Sequence, residues 1–100
     1  MPEVSEVILG LDALLAEISS LMKQTNLEVP LLQEKAEQWA RRVHVTLSNW
    51  GRGDDANRFS GASYTVDRAY PWTTLKNKVE ARRRVLQVLK VLALSLRSYQ

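Results

Sequence analysis

At 100 residues the chain is long enough for one domain, spanning 1–100, and for no more. Its composition, 45% hydrophobic and 25% charged, excludes global disorder, and the absence of Cys excludes disulfides, thiolate metal sites and a cysteine nucleophile. The net charge of +3 is modest but uneven: residues 1–30 carry −4, residues 31–72 carry +1 and residues 73–100 carry +6.

Val4, Val7, Ile8, Leu11, Leu14, Leu15, Ile18, Leu21 and Met22 recur at spacings of three and four. That spacing is one face of a helix, expected over about residues 3–24. Pro2 suits a first turn, and Glu3 and Glu6 suit the positive end of a helix dipole. Gly10 costs a helix about 1 kcal/mol relative to Ala, so a close helix crossing is expected there. Gln24 to Val29 reads as a loop in which Thr25-Asn26 supplies turn hydrogen bonds, because Pro30 disfavours helical backbone at Val29.

Leu32, Ala36, Trp39, Val43, Leu47 and Trp50 form the seam of a second helix, expected from about Pro30 to Trp50, with Gly51 as its left-handed cap. The periodicity then dissolves from Gly51 to Trp72. A connection of that length needs structure of its own. There is room for a short helix over 54–59, capped by Asp54 or Asp55, and Tyr64, Val66, Tyr70 and Trp72 are expected to pin the rest across the helices. A third long helix is expected from about Thr73 to Ser98, with Thr73 or Thr74 as cap and a seam of Leu75, Val79, Leu86, Leu89, Ala93 and Leu96. The fold class is therefore all-α, a small bundle of three long helices with a long structured loop between the second and third.

The chemistry-bearing residues are sparse. Arg52-Gly53-Asp54 spells the integrin-ligand tripeptide, but a capped turn explains it better. Asp54 and Asp55 lack a Ca²⁺-loop pattern. His44, the only His, has Ser48 one turn away, with nothing to orient a base or to supply an oxyanion hole. Trp39 and Trp50 lie on the seam and are expected in the core, while Tyr64, Tyr70 and Trp72 remain undecided between packing and base stacking. No glycine-rich phosphate loop, nucleophile elbow or metal-ligand spacing is present. The expectation is a chain that is not an enzyme, with no catalytic, cofactor-binding or metal site. The longest apolar run, Val85 to Leu96, is too short and too polar to span a bilayer, and Glu3 and Glu6 do not fit a signal peptide. A cytoplasmic location is expected.

Two surfaces remain. Val85, Val88, Leu92 and Leu94 lie partly outside the third helix's seam and widen its apolar arc, which points to a protein partner: a second copy or a larger subunit. Lys76, Lys78, Arg82, Arg83, Arg84 and Lys90 offer the alternative of a nucleic-acid-binding accessory domain. Successive helical residues fan about 100° apart, so Arg82, Arg83 and Arg84 cannot share one groove. Some of them are expected to face Glu residues of the first helix, and the opposed charges of the two ends predict that the first and last helices are neighbours.

The stretch Leu32-x3-Ala36-x2-Trp39-x7-Leu47-x2-Trp50-Gly51-x3-Asp55-Ala56-x2-Phe59 resembles helical accessory regions of bacterial anti-phage effector proteins, TIR-like or nucleotide-sensing. There a Trp-bearing helix runs into an aromatic-Gly turn, a short polar turn and a Phe, and an amphipathic helix follows a variable loop. The resemblance covers residues 31–98, with Ala36 standing where an aromatic is usual and Trp50 where Phe is usual. It implies association or positioning of an effector. The function expected is a non-catalytic interaction or oligomerisation module.

Overall fold

The computed structural model describes residues 3–24 and 28–98, and only the backbone of residues 97 and 98. The positions expected to open the chain and to form the Thr25-Asn26 turn lie outside the described residues, as does the Arg97 side chain. Four helices follow in order: α1 (Val4–Met22), α2 (Val29–Asn49), α3 (Gly53–Ser60) and α4 (Pro71–Ser98). Among the described residues there is no strand. The all-α bundle of three long helices is thus present, and a fourth, short helix fills part of the central connection.

Each of the three long helices forms where its apolar period predicts. Val7, Ile8, Leu11 and Ile18 of α1 are buried, and Val4, Leu14, Leu15, Leu21 and Met22 pack around them. On α2 the buried set is Leu32, Ala36, Trp39, Ala40, Val43 and Leu47. Leu75, Val79, Leu86, Leu89 and Ala93 face them from α4. Burying such side chains is worth about 1.5–3 kcal/mol each relative to leaving them in water. The seam expected on α4 fails only at Leu96, which is 51% exposed. Length explains the failure: α4 has 28 residues against 19 in α1 and 21 in α2, so its last turns outrun the core.

Trp39 is the hinge pin of the core. It is 1% exposed, donates Nε1–H to the Leu14 carbonyl at 2.9 Å, and meets the Phe59 ring edge-on at 5.5 Å. One side chain therefore ties α1, α2 and α3 together. The α1–α2 crossing is close at Gly10, where an added Cβ would lie 2.7 Å from two ring carbons of Trp50. Gly51 ends α2 at φ 76°, with Gly51 N–H donating to Ser48 and Arg52 N–H to Leu47, the double bond pattern of a left-handed helix stop.

The connection from Gly51 to Tyr70 departs from expectation in its details. Asp54 and Asp55 sit in the first turn of α3 without making a cap hydrogen bond, and Asp55 instead accepts from Arg52 at 2.9 Å. Arg52-Gly53-Asp54 is thereby drawn into a helix start. The loop beyond α3 is pinned by polar contacts more than by its aromatics. Asp67 accepts from the backbone of Ala69 and Tyr70, Thr74 bonds both backbone groups of Asp67, and Asn77 donates to the Thr65 carbonyl. Tyr64 lies beneath Lys78 at 5.5 Å, while Tyr70 stays 66% exposed. Thr73 and Thr74 fall inside α4, whose start is set by Pro71 in its first position.

Candidate functional site

α4 packs most extensively on α1, and its core face is fixed by Leu75, Val79, Leu86, Leu89 and Ala93. Residues advance about 100° around a helix, so Val88, Val91 and Leu92 come out on the side turned away from that face. They are 56%, 60% and 53% exposed. With Arg84 and Gln87 they line one shallow apolar depression. Spacing of three and four along two turns makes the stripe continuous, and Leu96 extends it beyond the core.

Of the four residues expected to bind a partner, Val88 and Leu92 lie at the centre of this surface. Leu94 is 39% exposed on its flank. Val85 is half-buried and packs against the core, because it sits one position before Leu86 on the edge of the core face. Val91, outside the expected set, is the most exposed member of the stripe.

Four of the six basic residues of α4 are drawn into ion pairs. Lys78 and Arg82 both reach Glu37 of α2, at 2.5 and 3.3 Å. Arg83 pairs with Glu80 of its own helix at 2.8 Å, and Lys90 reaches Asp12 of α1 at 2.6 Å. Lys76 and Arg84 are exposed and have no acidic partner among the described residues. The predicted neighbourhood of first and last helices holds, with Asp12–Lys90 as its charge contact. Glu17 pairs with Arg42 of α2 instead, and among the described residues Arg82, Arg83 and Arg84 pair with no Glu of α1.

His44 does not use Ser48. Its Nδ1 lies 2.8 Å from Oγ of Ser60, the last residue of α3. No third side chain orients the imidazole among the described residues. Ser60 also sits at the negative end of its helix, which disfavours an alkoxide there. Among the described residues no three His, Asp or Glu side chains gather as metal ligands, and no helix is long and apolar enough to cross a membrane.

No protein-family model, curated protein or solved structure matches the chain. The site is therefore defined by its physics alone.

Val91 belongs to the same apolar surplus in the sequence, since it completes the i, i+3, i+4 spacing with Val88 and Leu92. The His44–Ser60 contact had no sequence signal, because it depends on where α3 docks on α2. The Glu37 node was equally hidden, because Lys78 and Arg82 approach it from α4 across the bundle.

Proposed function

We propose that the chain is a non-catalytic protein-interaction module that associates through the outer face of α4, with a second copy of itself as the occupant. The observation that carries this is the continuous stripe of Val88, Val91 and Leu92, more than half exposed on the side away from the core. A two-fold axis near residue 90 would set Val88 of one copy against Leu92 of the other, with Val91 beside the axis, so the pattern is complementary to itself. Arg84 and Gln87 flank the stripe without an acid that burial would leave unpaired. The basic residues give nucleic-acid binding less support, since four of the six already have carboxylate partners.

The strength of such a contact follows from its size. Residues 84–96 span about 20 Å of a helix some 10 Å wide, which falls below the roughly 1,200–2,000 Å² of a standard stable interface. Self-association is therefore expected to be weak and concentration-dependent. Within the resemblance of residues 31–98 to effector accessory regions, such a module would bring effector units together in a cytoplasmic anti-phage complex, and a larger effector subunit is the competing occupant.

Light scattering from 10 µM to 1 mM, as about two decades around weak-dimer affinities, tests this. The mass should rise towards that of a dimer, and Val88→Glu with Leu92→Glu should hold it at the monomer with unchanged helical content. A wild-type mass that stays monomeric throughout refutes the self-association reading.

A further inference from the structure

A cavity of about 370 Å³ opens between α2, the end of α3 and α4. Its polar lining is Arg41, His44, Ser60 and Arg82, together with Glu37. It lies on the core side of α4, away from the Val88–Leu92 stripe.

Arg82 is the fixed cation of this cavity. Its side chain is 12% exposed and its guanidinium rests 5.7 Å from the centre of the Phe59 ring. A guanidinium carries five N–H donors, and Arg82 makes one hydrogen bond, to Glu37. None of its other donors is fully buried without a partner. Arg41 lines the same cavity, is exposed, and has no ion pair among the described residues. The His44–Ser60 contact joins α2 to α3 and holds an imidazole and a hydroxyl on the wall.

The charge balance is positive. Glu37 is the one acid on the cavity wall among the described residues; Lys78 and Arg82 pair with it, and Arg41 lines the same wall. Burial pushes the Glu37 carboxyl up, but the Lys78 hydrogen bond and the charges of Arg82 and Lys78 outweigh it and hold the group below its ordinary value. The C-terminus of α3 opposes an anion with a partial charge of roughly half a unit, less than the excess positive charge. A carboxylate offers two oxygens in one plane. A phosphate monoester offers three oxygens and two negative charges, and so suits donors that line one cavity from three helices.

We propose that this cavity binds a phosphate monoester dianion or free phosphate, held by Arg82 and Arg41 with His44 and Ser60 as further hydrogen-bonding partners. The test is an amide NMR titration of the full chain at constant ionic strength, with inorganic phosphate in one arm and O-phosphoserine in the other. Saturable shifts at Ala40, His44, Ser60 and Gly61 are expected. Tighter binding of O-phosphoserine assigns the site to an ester, and tighter binding of inorganic phosphate assigns it to the free ion. Arg41→Gln, which removes an exposed side chain with no ion pair among the described residues, should weaken binding roughly tenfold or more. The Val88→Glu, Leu92→Glu chain should bind as wild type does, so this site and the α4 surface fail or hold separately. Shifts that do not saturate, that centre on Lys76 and Arg84, or that Arg41→Gln leaves unchanged overturn the proposal.

Discussion

Trp39→Ala probes the core at the point where three helices meet. The indole is almost fully buried, so its loss removes a large apolar transfer term and leaves a cavity that α1, α2 and α3 cannot all close at once. Truncations of this kind cost about 3–5 kcal/mol. The edge-on Phe59 contact accounts for about 0.5–1.5 kcal/mol of that, and the hydrogen bond to Leu14 for about 0.5–1.5 kcal/mol. A domain of this length has roughly 5–15 kcal/mol in total, so the variant should be marginally folded. Trp39→Phe separates the terms, because it keeps a ring and loses the donor; it should cost clearly less than Ala. Urea unfolding followed by far-UV circular dichroism measures both, provided the slope is unchanged. A Trp39→Ala midpoint within about 0.5 kcal/mol of wild type, the range of an ordinary surface substitution, would place Trp39 outside the core and refute the packing described.

Other expectations follow from single contacts. Gly10→Ala gains about 1 kcal/mol of helix propensity but drives a methyl into the Trp50 ring, at an overpacking cost of about 1–3 kcal/mol. It should destabilise the native sequence and stabilise a Trp50→Ala background, and a stabilising effect in both would remove the crossing. Glu37 has a depressed folded pKa, so its contribution is fully present above its ordinary value of 4.5 and is lost as pH falls through the lower folded value. Glu37→Gln should therefore be less stable at pH 7 and flatter in stability against pH below 4.5; parallel curves for the two chains would show that the ion pairs contribute nothing. Asp67→Ala removes the acceptor for Ala69 and Tyr70 N–H and should cost about 1 kcal/mol, with faster amide exchange confined to residues 64–72.

The fold was legible wherever periodicity speaks. The seams of α1, α2 and α4 were written in apolar spacing, and Gly51 marked the end of α2 by its type alone. The connection from 51 to 70 was less so, since its order depends on Asp67, Thr74 and Asn77 forming hydrogen bonds across seven to twelve residues, which no local pattern encodes. The candidate surface was partly legible. Val88 and Leu92 were visible as apolar surplus, but a helix apolar on most sides does not declare where its core face ends, and Val85 lies half-buried at that edge. The ion pairs were the least legible: charge asymmetry predicted that α1 and α4 adjoin, yet only the docking angle decides that Lys90 meets Asp12 while Arg82 turns to Glu37.

Because the chain has no Cys, one introduced thiol reports its neighbours without interference. Val91→Cys lies beside the proposed two-fold axis, where the two Cα atoms should come within the roughly 4.4–6.8 Å that a disulfide spans. Under mild oxidation of concentrated protein, Val91→Cys should form a disulfide-linked dimer, and Ala16→Cys, exposed on α1, should not. Equal cross-linking at both positions, or none at Val91→Cys, would contradict association through the outer face of α4.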